Sequence, residues 1–195
     1  MKKQLFTTKQ IVIAALLAAL TVAGSYLRIK VPADVVGTSA FHLGNIMCAL
    51  SGILLGPWLG GLAAGLGSAI YDILDPMYIS ECWLTFLMKG AYGLITGLIA
   101  WKGGKTPWNT CCKCSYVKAF FAAIAGALTY AVLYLAKSYF YSGLLIHGLP
   151  HEAALINVIG KLPATTFNAV VAIIGAPILA MAVSKALEKT HLSLE

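Results

Sequence analysis

Three ionisable side chains stand inside long apolar runs of this sequence: Asp72, Lys89 and Lys161. A charged group at the centre of a membrane helix costs roughly 2.5–3.5 kcal/mol even on insertion-based scales, so such groups face a cavity or a partner. Around Lys161 the spacing is informative. Asn157, Lys161, Ala164 and Asn168 recur at intervals of four, three and four, which stacks them on one helical face. An amide, an ammonium and a second amide on one stripe can hydrogen-bond a small polar heterocycle; they can equally serve as interhelical glue. His42 and Asn45, three apart after Phe41, share a face at the start of another apolar run. A histidine there suits a cap or a packing interface as well as a ligand. Asp72 and Lys89 admit a structural ion pair, with Lys161 snorkelling, or the polar lining of a pocket. Tyr92, Tyr130, Tyr134 and Trp83 offer rings for stacking, although aromatic residues also populate membrane interfaces.

None of these residues forms a catalytic pattern. There is no paired-histidine metal motif, no nucleophile elbow and no phosphate loop. Gly65-Leu66-Gly67 lacks the third glycine of a nucleotide fingerprint. The reading therefore includes no catalytic residue, no cofactor and no metal. Cys111, Cys112 and Cys114 would need a fourth ligand to hold zinc, and Cys48 and Cys82 read as packing residues.

The elements that carry these side chains follow from composition. Of 195 residues, 59% are hydrophobic and 11% charged, against about 25% charged in soluble domains. The fold class expected is all-α: an integral membrane bundle of six transmembrane helices, one domain over 1–195, at roughly 8–27, 42–56, 58–74, 83–101, 116–141 and 152–187. The first run reads as a retained helix rather than a signal peptide. Gly56-Pro57 reads as a tight hairpin between the second and third spans. Gly52, Gly56, Gly60, Gly61, Gly65 and Gly67 would let those two spans approach closely. Pro163 and Pro177 predict a kink in the last span. The net charge of +7 sits at span ends, which points to membrane orientation and away from nucleic acid.

Even span number places both termini on one side, with Lys2, Lys3, Lys9, Lys102, Lys105, Lys113, Lys118, Lys185 and Lys189. The positive-inside rule makes that side cytosolic. The loops 28–41, 75–82 and 142–151 then face outward. At 1.5 Å per residue, Lys89 lies about 9 Å and Lys161 about 14 Å into their spans, in the outer half with Asp72. In the first span, Ala14, Ala15, Ala18, Ala19, Ala23 and Gly24 make a smooth stripe suited to helix docking, inside the chain or against a partner.

Four segments resemble a known family: AALLAA (Ala14–Ala19), FHLGNIMCALSGILLGP (Phe41–Pro57), GLAAGLGSAIYDIL (Gly61–Leu74) and TFLMKGAYGLITG (Thr85–Gly97). Across nearly its whole length the chain resembles the substrate-binding S-components of energy-coupling factor (ECF) transporters, and looks most like the hydroxymethylpyrimidine or pyridoxine branch. The resemblance implies a multi-pass subunit of a prokaryotic plasma membrane that captures a small vitamin or precursor. It implies docking on a transmembrane coupling subunit through an AxxxA surface, matched here by Ala14 and Ala18, and uptake driven by two cytosolic ATPases as the subunit topples. It places the pocket toward the outer face among helices four to six. The loop after the first helix, here Arg28–Ala40 with its regular structure broken at Pro32 and Gly37, then acts as a lid. The alternative function is a self-sufficient proton-coupled secondary transporter working through Asp72 or Glu152. A membrane-embedded enzyme is a weaker third, since no convergent acid–base groups appear.

Overall fold

The computed structural model describes residues 6–32, 38–102 and 112–189, with no side-chain description at 31–32, 112–114 and 188–189. Helix α1 (Thr8–Tyr26) starts on a capping box: the Thr7 hydroxyl accepts from the Gln10 amide, and the Gln10 side chain accepts from the Thr7 amide. A two-stranded antiparallel hairpin follows, β1 (Arg28–Pro32) and β2 (Thr38–His42), with Arg28 opposite His42 and Lys30 opposite Ala40. Then come α2 (Gly44–Leu74), a short 3-10 turn (Ile79–Glu81), α3 (Cys82–Ala100), α4 (Cys112–Ala136), a π-helical extension (Lys137–Ile146) and α5 (His151–Lys189).

Among the described residues, five helical stretches are long and apolar enough to cross a bilayer. The six spans expected from sequence meet five because the second and third run together as α2. That stretch is not straight. Gly56 sits at φ 78°, ψ −173°, a backbone region essentially reserved for glycine. Pro57, which lacks an N–H, starts the second arm. The Ser51 hydroxyl lies 3.0 Å from the Gly60 carbonyl, and the Cys48 thiol 3.6 Å from the Ser68 hydroxyl. In a straight helix, residues twenty apart would be separated by about 30 Å. The arms 44–55 and 57–74 therefore fold back on each other at the Gly56-Pro57 step.

The glycines divide among three seams rather than one. Gly60 abuts Gly52 between the arms, Gly61 and Gly65 abut the α3 backbone at Gly90 and Phe86, and Gly67 abuts Ala18 on α1. The α2–α3 contact is the most extensive in the molecule, and α5 closes back on α2. The Trp101 indole N–H donates to the Ile53 carbonyl at 2.9 Å, using an acceptor freed beside the reversal.

Two further expectations are corrected. The loop Arg28–Ala40, whose regular structure is expected to break at Pro32 and Gly37, instead lies in a hairpin that pairs Arg28–Pro32 with Thr38–His42; alternation places polar Arg28 and Lys30 on one face and apolar Ile29 on the other. The expected span 116–141, which is α4, does not end at 141; wider π turns carry it to Ile146. Helix α5 is continuous through both Pro163 and Pro177. Large apolar side chains such as Ile11, Trp58, Phe121 and Val132 are exposed around the bundle, as lipid-facing surface requires.

Candidate functional site

The hairpin, the second arm of α2, the segment 77–81, α3, α4 with its π extension and α5 line a partly open cavity of about 380 Å³. That volume lies within the range of small-molecule sites. Its charged wall consists of Arg28, Asp72, Glu81, Lys89, Lys137 and Lys161. Hydroxyls from Ser25, Ser39, Ser68, Ser80, Thr85 and Ser142 fill the spaces between, and Tyr71, Tyr78, Tyr130 and Tyr134 supply rings.

Helical periodicity on α5 does what the sequence spacing predicts. Asn157, Lys161, Ala164 and Asn168 are all buried on one inward face. Their roles then diverge. Lys161 lines the cavity and donates to the Ser138 hydroxyl at 3.5 Å. Asn168 also lines it, but its amide grips the hairpin: Oδ1 accepts from the His42 amide at 2.9 Å and Nδ2 donates to the Ala40 carbonyl at 2.7 Å. Asn157 is fully buried and lies outside the cavity wall.

Lys89 is buried on α3, donates to Asn45 Oδ1, and stands 3.9 Å from the centre of the Tyr130 ring. Asn45 is therefore a support behind the wall. Tyr92 is fully buried and stacks on Tyr130 at 5.7 Å, and Tyr130 on Tyr134 at 5.8 Å. Tyr92 does not line the cavity, and Trp83 stands outside it against Tyr141. His42 does not share a helical face with Asn45 as expected: it ends β2, ahead of α2, and lines the cavity with its Nδ1 buried.

Asp72 lines the cavity beside Thr85; of the two alternatives for Asp72 and Lys89, the direct ion pair is not formed. Among the described residues the ion pairs are Arg28 and Lys30 with Asp75, and Lys137 with Glu81. Sequence reasoning missed these, because each joins residues at least 45 positions apart in sequence. They tie the hairpin and the π extension to the 75–81 turn. The Thr38 hydroxyl adds a hydrogen bond to Tyr78 at 2.8 Å, and the Arg28 guanidinium lies over the Tyr71 and Tyr78 rings. Partial desolvation at Asp75 pushes its carboxyl up, but the Met77 amide and the Arg28 guanidinium outweigh it and hold the group below its ordinary value.

The alanine stripe of α1 divides. Ala14 is buried in the core, and Ala18 packs its backbone against Gly67. Ala18 itself is half-buried. Ala15 and Ala19 are exposed, beside Ile11, Val12, Leu16 and Leu20. Cys111 lies outside the described residues, and the side chains of Cys112 and Cys114 are not described.

Comparison with known proteins adds an independent line. A family model described as "ECF-type riboflavin transporter, S component" matches residues 5–185. An "Uncharacterized protein in gap 3'region" from Pyrococcus woesei is 29% identical over 121 residues, covering 62% of this chain and 72% of that protein. A "UPF0397 protein" from Streptococcus gordonii is 32% identical over 94 residues, 48% of each chain.

Proposed function

We propose, because this chain belongs to the ECF-type riboflavin transporter S-component family, that it captures a small vitamin or vitamin precursor at the outer face of the plasma membrane for ATP-driven import. It is a multi-pass membrane protein, and members of its family are transport components rather than enzymes. The observation that carries the reading is the cavity of about 380 Å³ lined by buried Lys89, Lys161 and Asp72 beneath a tethered hairpin. Polar groups this deep in an apolar bundle are costly unless something uses them.

In this reading α2 counts as two crossings, which gives six spans and places both termini in the cytosol with the lysine-rich ends. The cargo is a heterocycle of the size of pyridoxine, hydroxymethylpyrimidine or a somewhat larger vitamin. Lys161, Lys89, Asp72, His42 and Tyr130 contact it directly. Asn45 and Tyr92 orient Lys89 and Tyr130 from behind, Asn168 holds the hairpin, and Asn157 packs α5. The hairpin opens to admit cargo. The partners are a transmembrane coupling subunit and two cytosolic ATPases, with the exposed Ala15–Ala19 face of α1 as the docking surface.

Reconstitution tests this. The purified chain should bind its cargo alone but accumulate it in proteoliposomes only with the coupling subunit and ATPases present. Accumulation by the isolated chain under a proton gradient would favour a secondary carrier using Asp72. Mass spectrometry of molecules that co-purify with the protein would name the cargo.

A further inference from the structure

The charges on the cavity wall do not balance. Arg28 is answered by Asp75, and Lys137 by Glu81. Lys89 has two neutral partners, the Asn45 amide oxygen and the Tyr130 ring; the Asp72 carboxylate on the same wall, though not in ion-pair contact with it, balances one of the two remaining positive charges. Lys161 has the Ser138 hydroxyl, a neutral partner, at 3.5 Å. An ammonium carries three donors, and Lys161 is buried. Among the described residues, Lys161 forms no ion pair. A buried cation without a counter-ion is expensive in a low-dielectric bundle.

We infer that the cargo is a monovalent organic acid, a heterocyclic carboxylate whose acid group sits on Lys161 and supplies the missing counter-charge. This rests on the capture reading above and narrows its substrate class. A dianionic phosphate fits less well: one uncompensated cation is on offer, and Asp72 and Glu81 also face the cavity. The wall hydroxyls of Thr85, Ser68 and Ser39 suit the hydrogen-bonding edges of the ring system.

The test uses matched probes on the full chain in detergent. Pyridine, pyrimidine and pteridine rings are each presented as the carboxylate and as the corresponding carboxamide, and affinities are measured by titration calorimetry. At least one carboxylate should bind tenfold or more tightly than its amide. That preference should vanish in Lys161→Gln and persist in Lys161→Arg, with thermal unfolding confirming that both variants fold. Co-purifying molecules, extracted and identified by mass spectrometry, give a second readout that does not depend on the panel, and an organic acid there supports the inference. If an amide binds as well as its carboxylate, if the preference survives Lys161→Gln, or if the co-purified molecule is neutral or cationic, the acid is wrong while capture stands. If no probe binds and nothing co-purifies, both this inference and the capture reading fail.

Discussion

Lys161 and Lys89 are both buried ammoniums, yet their surroundings assign them different work. Lys161 has one long contact to Ser138, so most of its donor capacity remains for a ligand. Lys161→Met should weaken cargo binding by at least about tenfold, or about 1.4 kcal/mol, with little loss of thermal stability. Lys89 is built into the wall by Asn45 and Tyr130. Removing one partner of a buried polar network leaves the other unsatisfied, at about 1–3 kcal/mol. Lys89→Met should therefore lower the unfolding temperature more than it lowers affinity. Calorimetric titration and thermal unfolding of both variants separate the roles; unchanged affinity in a folded Lys161→Met protein would remove that residue from the site. The two lysines look alike in sequence, each a lone charge in an apolar run. Their neighbours come from other elements: Asn45 from α2, Tyr130 from α4, and Ser138 from the π extension.

At the scale of elements, the ties that hold the hairpin over the cavity include Arg28 and Lys30 to Asp75, Thr38 to Tyr78, and Asn168 to the β2 backbone. Asp75→Asn should loosen it, seen as faster amide hydrogen exchange across 28–42 and faster cargo release. The carboxyl of Asp75 is held low in the folded protein. Its contribution is therefore present above the unfolded value, about 3.9, and is lost as pH falls through the folded one. Acid below the ordinary carboxylate range should mimic Asp75→Asn in the natural protein and add little to the variant. The α1 stripe makes a second element-scale prediction. Ala15→Trp or Ala19→Trp should block uptake by the assembled importer while leaving binding to the isolated subunit intact. Ala14→Trp should instead destabilise the fold, because overpacking a core position costs about 1–3 kcal/mol. If Ala14→Trp proved harmless to stability, the burial of that face against α2 would be in error.

For the whole molecule, the proposed topology makes a direct prediction. If the chain crosses six times with cytosolic termini, the segment 102–118 faces the cytosol, and a membrane-impermeant thiol reagent applied to intact cells should leave Cys111, Cys112 and Cys114 unlabelled. Rapid labelling from outside would invert the arrangement. The reversal at Gly56 is testable on the same scale. A side chain there would take up a backbone region costing roughly 1–3 kcal/mol, and its Cβ would stand 3.1 Å from the Trp101 ring. Gly56→Ala should therefore lower the unfolding temperature of the entire bundle.

Much was legible without coordinates, and the reason is that lipid simplifies the code. A chain with 11% charged residues cannot hide its spans, helical periodicity placed Asn157, Lys161 and Asn168 on one inward face, and Gly56-Pro57 marked the reversal. Those are local properties of the chain. What only the tertiary structure decided is pairing between distant segments. The sequence could not say that Asp75 rather than Asp72 takes an ion pair, that Asn168 grips β2, or that Ala14 is buried while Ala15 is exposed. A periodic stripe identifies a face but not its neighbour, and hydrogen-bond partners 126 or 128 residues apart leave no mark in local spacing.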